Sequence, residues 1–123
     1  MEQDIFDVRG LHIAITGGAS GIGLAAAREL AGRGALLDIW DIKPESLAAA
    51  LEGPLQPFRE QVTTRQVDVA DAEAVEAAAD AAWQAAPVDV LINCAGMTSH
   101  RRPVLEIPLS DWERMLAVNL YGT

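Results

Sequence analysis

Apolar positions along this chain fall into short runs broken by glycine, proline or charge, and two kinds of run alternate. Leu11 to Thr16 is nearly all apolar and ends at a glycine, which predicts a buried strand. Gly21 to Arg33 has helical spacing, with Ile22, Ala26 and Leu30 at i, i+4 and i+8 forming an apolar stripe, and Gly34 ends it. Ala35 to Asp41 reads as a second strand. Pro44 suits the first position of a short helix reaching about Leu51. Gly53-Pro54 stops that helix, and Pro57 keeps the next segment irregular. Val62 to Val69 is a third strand, rich in Val and Thr. Asp71 is placed to cap an Ala-rich helix over 72–85, and Pro87 follows it. Val88 to Asn93 is a fourth strand. After a loop over 95–109, Ser110-Asp111-Trp112-Glu113 has the form of a capping box, so a last helix is expected to open there and to run to about Leu120.

Four strands alternating with four helices predict an α/β fold with a parallel sheet, right-handed crossovers and helices on both faces. The expected architecture is the first half, and slightly more, of a doubly wound Rossmann sheet in strand order 3-2-1-4, one domain over 1–123. Asp38 falls inside the second strand, so it is expected near a sheet edge or paired.

Composition narrows the partners. The chain has 123 residues, 50% of them hydrophobic, enough for a core. Nine Lys+Arg against 18 Asp+Glu give a net charge of −9, which argues against nucleic acid and against an anionic membrane surface. No window is long and apolar enough for a membrane span. The acidic start Met1-Glu2-Gln3-Asp4 is unlike a signal peptide, so a cytoplasmic location is expected. A single cysteine, Cys94, excludes an internal disulfide and reads as a small buried filler. His12 and His100 are too isolated to suggest a metal site. His12 is expected to be structural, and His100, Arg101 and Arg102 to belong to a solvated loop.

The candidate chemistry begins at Thr16-Gly17-Gly18-Ala19-Ser20-Gly21-Ile22-Gly23, where the first strand turns into the first helix. Glycine permits the tight reversal and lets backbone approach a diphosphate, toward which free helix-start amides and the helix dipole point. No lysine follows, which excludes a P-loop. Asp41 lies 18 residues beyond Gly23, at the end of the second strand. A carboxylate there can accept from both adenosine ribose hydroxyls, each charge-assisted bond contributing ~1.5–3 kcal/mol. It repels a 2′-phosphate, since like charges ~4 Å apart cost about 4 kcal/mol at an effective dielectric near 20. NAD is therefore the expected cofactor, and the plainer reading of Asp41 is a strand-end carboxylate that caps a helix.

TGGASGIG over 16–23 resembles the glycine motif of the short-chain dehydrogenase/reductase family. Asp41, Asp68-Val69, Asn93-Cys94-Ala95-Gly96 and Val118-Asn119-Leu120 match that family in order and spacing, from about Phe6 onward. The resemblance implies an oxidoreductase that interconverts a secondary alcohol and a ketone by hydride transfer. It adds Gly17, Ser20, Gly21, Ile22, Gly23, Asp68, Val69, Asn93 and Gly96 to Asp41 as cofactor contacts. Asp68 and Val69 border the adenine, and Asn119 matches the asparagine that holds a water in the proton relay. It also implies a dimer or tetramer at full length.

The family's proton chemistry uses a tyrosine, a lysine four residues later, and a serine. Here the single tyrosine is Tyr121 and the single lysine is Lys43, so no Tyr-x-x-x-Lys is present, and no serine follows Ser110. Family members are about twice this length, as a two-half nucleotide fold requires. A fourth strand left as a bare edge points the same way. The expectation is a fragment carrying the cofactor-binding portion, inactive alone. Two alternatives stay open: a non-catalytic nucleotide-binding module complete at this length, and a Rossmann-fold methyltransferase.

Overall fold

A computed structural model describes residues 5–99 and 102–123; His100, Arg101 and residues 1–4 lie outside the described residues. Four strands, β1 (His12–Thr16), β2 (Leu36–Asp41), β3 (Val62–Gln66) and β4 (Val90–Asn93), form one sheet. Its order is β3-β2-β1-β4 and every pairing is parallel. The helices are α1 (Gly21–Gly32), α2 (Pro44–Glu52), α3 (Ala72–Ala85) and α4 (Leu109–Leu116), the last continuing into a π-helical turn over Ala117–Tyr121. Short 3₁₀ turns occupy Gln56–Gln61 and Val104–Glu106.

Strand alternation divides the core between the two faces. Ile13, Ile15, Leu37 and Ile39 pack with Ala27 and Ala31 of α1 and with Leu47 and Ala50 of α2. Ala14, Trp40 and Val67 pack on the opposite face against Ala78 and Ala82 of α3. Helices on both faces of a parallel sheet are the doubly wound arrangement.

The expected stripe on α1 is corrected. Leu30 packs against the core as expected, but Ile22 is 83% exposed, and the fully buried line is Gly23, Ala27 and Ala31, one position later. The helix lies too close to the sheet for larger side chains on its central line. An added Cβ at Gly23 would run into the carbonyl oxygen of Gly17. α1 ends where Gly34 N–H donates to Ala31 O (2.9 Å) and Ala35 N–H to Leu30 O (3.1 Å), a Schellman closure.

Two strands are shorter than their apolar runs. β3 stops at Gln66 because Asp68 turns the chain, its Oδ1 accepting from Ala70 N–H at 3.0 Å. β4 starts at Val90 because Asp89 pairs with His12 instead, its Oδ2 accepting from His12 N–H at 2.8 Å. The capping box does not form. α4 begins at Leu109 with Pro108 as its N-cap, and no side chain caps it. The Pro108 carbonyl accepts from Asp111 N–H (3.0 Å) and Trp112 N–H (3.2 Å), so Ser110 is already inside the helix.

Asp38 is paired, in the second-from-edge strand. Its carboxylate is 1% exposed and accepts from Arg65 Nε (2.7 Å), Arg65 Nη2 (2.9 Å) and Trp40 Nε1 (2.6 Å). β4 is one edge of the sheet, as expected, with β3 the other, and Leu91 on β4 is 55% exposed.

Candidate cofactor-binding cleft

At the carboxyl ends of the strands the chain encloses a cleft of about 720 Å³. Open α/β sheets place their ligands outside these strand ends, where the direction of winding reverses. Here the reversal falls between β1 and β4.

The turn from β1 into α1 forms the floor. Gly17 adopts φ +63° and Gly21 φ +53°, left-handed values that other residues adopt only with strain. Gly17 also lies against the chain leaving β4, where a Cβ would sit 2.8 Å from Ala95 backbone atoms. A Cβ on Gly21 would meet nothing within 4 Å, so this glycine opens onto free space. The turn is held from both sides. Thr16 Oγ1 accepts from Cys94 N–H and Ala95 N–H, both at 3.2 Å. On the other side Gly18 N–H donates to Trp40 O (3.3 Å) and Ala19 N–H to Asp41 Oδ2 (3.2 Å).

The first helical amides are left free. Ser20 is the N-cap of α1 in extended conformation, and its side chain caps nothing. Among the described residues, the N–H groups of Gly21, Ile22 and Gly23 have no acceptor. Three orphan donors at a helix start, beside glycines that leave room for backbone contact, fit an anionic diphosphate.

Most of the residues expected from sequence come together here. Gly17, Ser20, Gly21, Ile22, Gly23, Asp41, Asp68, Val69 and Gly96 all line the cleft. Ile22, lost to the core, stands at this mouth. Asp41 is half-buried, and its second oxygen accepts from Lys43 N–H at 3.3 Å. It is therefore a strand-end tie as well as a cleft carboxylate.

Asn93 and Asn119 lie outside the lining. Register pairs Asn93 with Thr16 and so puts it on the α3 side of the sheet, and its side chain has no hydrogen bond among the described residues. Asn119 donates from Nδ2 to Met97 O and accepts at Oδ1 from Met97 N–H, both at 2.8 Å. It thereby clamps the segment after β4 that forms one cleft wall. Cys94 lines the cleft and is half-buried, less enclosed than a core filler, because the strand it follows is an edge.

Sequence reasoning missed Arg114. This α4 residue reaches Asp68, Nη2 to Oδ2 at 2.9 Å, and lines the cleft beside it. The two are 46 positions apart, so no local pattern announces the pair. Lys43 and Ser46, at the start of α2, also line the cleft next to Asp41. Among the described residues no group of His, Cys, Asp and Glu could hold a metal ion, and no helix is long and apolar enough to cross a membrane.

The model of the short chain dehydrogenase family matches residues 11–123. The chain belongs to the short-chain dehydrogenase family. D-threitol dehydrogenase of Mycolicibacterium smegmatis is 42% identical over 121 residues, covering 96% of this chain and 46% of that protein. Galactitol 2-dehydrogenase (L-tagatose-forming) of Cereibacter sphaeroides is 40% identical, with 98% and 46% covered. Among solved structures, a short-chain dehydrogenase from Novosphingobium aromaticivorans superposes with a TM-score of 0.86 at 33% identity, over 96% of this chain and 43% of that one. A structure of ElxO with NADP bound superposes with a TM-score of 0.80 at 26% identity, over 92% and 46%. The chain thus spans just under half the length of these proteins.

Proposed function

We propose that this chain is the cofactor-binding portion of an NAD-dependent dehydrogenase that interconverts a secondary alcohol and a ketone. The observation that carries this reading is the row of orphan amides at Gly21 to Gly23, one strand away from the Asp41 carboxylate. Gly17 and Ser20 to Gly23 would hold the diphosphate, and Asp41 would accept from the adenosine ribose hydroxyls. Asp68 and Val69 would border the adenine, with Gly96 leaving room along the β4 side. When bound, the nicotinamide takes or gives the hydride.

The chain's own contribution is binding and orientation. Its tyrosine, Tyr121, is 82% exposed and outside the cleft lining, and its lysine, Lys43, stands at the adenosine end. Neither is placed to move a proton at the reacting carbon. Asn119 serves the reaction by holding Met97 and, in the family's manner, by supporting the water of the proton relay. A cytoplasmic enzyme that works as a dimer or tetramer agrees with the family. The two polyol dehydrogenases among the relatives favour small polyols as first substrates.

Lys43 favours a second reading of the cofactor, because its cation lines the cleft beside Asp41 and ElxO has been solved with NADP. Titration with NAD and NADP decides between the two. NAD is expected to bind at least about tenfold more tightly, since the Asp41 charge opposes the 2′-phosphate at close range. Asp41→Ala should weaken NAD about tenfold or more through lost charge-assisted bonds, and narrow the preference. Equal affinities in the unaltered protein would replace NAD with a dual-cofactor assignment. Binding of S-adenosylmethionine in place of both dinucleotides would overturn the site.

A further inference from the structure

We infer that Arg114 is a positioning residue that makes the cleft selective for adenine by aiming the Asp68 carboxylate. The inference rests on the dinucleotide reading of the cleft and extends it to a residue on a different element. Asp68 Oδ1 accepts from Ala70 N–H at 3.0 Å, and Oδ2 accepts from Arg114 Nη2 at 2.9 Å. With one oxygen held by its own turn and the other by α4, the carboxylate plane cannot rotate freely. Its remaining lone pairs are presented at a set angle along the cleft wall.

A held carboxylate is an acceptor only. It welcomes the exocyclic amino group of adenine and opposes the exocyclic carbonyl oxygen that hypoxanthine carries at the same place. The pair stands at the rim, with side chains 39% and 32% exposed for Arg114 and Asp68, so it adds little to global stability. Geometry is what it supplies.

The same corner is gripped a second time. Gly122 lies so close to Val69 that an added Cβ would come within 2.7 Å of its Cγ2, and Val118 is buried beside them. The turn after β3 is therefore packed against the segment whose Asn119 clamps Met97, and Arg114 joins the two a second time.

Calorimetric titration of the protein with NAD and with nicotinamide hypoxanthine dinucleotide tests this. The unaltered protein is expected to prefer the adenine form by about tenfold, one charge-assisted bond's worth. Arg114→Met should reduce that preference to about twofold while leaving the circular dichroism spectrum unchanged, and Arg114→Lys should restore part of it by returning a charged but less directional donor. Amide exchange at Ala70 should quicken in Arg114→Met, a readout that needs no ligand. If Arg114→Met keeps the full adenine preference, whether affinity stays or falls equally for both ligands, the positioning role is wrong and the cleft reading survives. If the unaltered protein binds neither dinucleotide, the cleft reading fails and takes the inference with it.

Discussion

A methyl group added at Gly23 has no place to go, because the Gly17 carbonyl oxygen already stands there. Gly23→Ala must push the start of α1 away from the glycine turn, at a cost of about 2–3 kcal/mol in overpacking. Gly21→Ala differs, since the space is open and only the left-handed φ of +53° is strained, costing about 1 kcal/mol. Urea denaturation of both variants should rank Gly23→Ala as the less stable, and a reversed order would contradict the packing described for α1. Both glycines belong to a motif visible in sequence, but the different reasons for them appear only when neighbouring chain is in place. Asp41 shows the same division. Its position at a strand end is legible from spacing, whereas its bonds to Ala19 N–H and Lys43 N–H come from how the turn folds back.

Helix starts separate what local pattern can tell from what it cannot. Asp71 caps α3 as its sequence position suggests, Oδ1 accepting from Glu73 N–H (3.1 Å) and Ala74 N–H (3.3 Å). Asp71→Ala should therefore cost about 1 kcal/mol. Ser110 heads an equally good capping pattern and caps nothing, because Pro108 has started α4 two residues earlier. Ser110→Ala should stay within about 0.5 kcal/mol of the parent, measured by the same denaturation midpoints. The four helices and four strands were all legible from periodicity and breakers. Their shortened ends were not, since Asp68 and Asp89 turn the chain through bonds to specific backbone groups. The buried line of α1 was also illegible. Ile22, Ala26 and Leu30 form the more apolar stripe, but proximity to the sheet selects the smaller Gly23, Ala27 and Ala31.

Across the whole molecule, charge buried in the sheet links three strands. Asp38 of β2 accepts from Nε and Nη2 of Arg65 on β3, while His12 Nε2 of β1 lies 3.8 Å from its Oδ2. His12 is further tied through Nδ1 to Ala86 O at 2.9 Å. Arg65→Met would leave the carboxylate with Trp40 Nε1 as its remaining close donor, and should destabilise the fold by about 3 kcal/mol, near the low end for an orphaned buried charge. A thermal or urea midpoint unchanged by this substitution would mean that Asp38 is not held as a carboxylate by Arg65. The pairing of Asp38 was expected from its position inside a strand, but its partner, 27 residues on, was not. β4, meanwhile, keeps Leu91 exposed along its open edge.

Residue order alone determined the kinds and succession of the elements, the glycine turn at the head of α1, the carboxylate at the end of β2 and, through these together, the family. Such features depend on neighbours a few positions away, whose steric and hydrogen-bonding preferences act within a turn or a strand. Tertiary structure decided which face of α1 is buried, where β3 and α4 begin or end, that Arg114 reaches Asp68, and that Asn119, itself outside the lining, clamps Met97 of the cleft wall. These outcomes hinge on close approach between segments distant in sequence, where one oxygen or one methyl group sets the spacing.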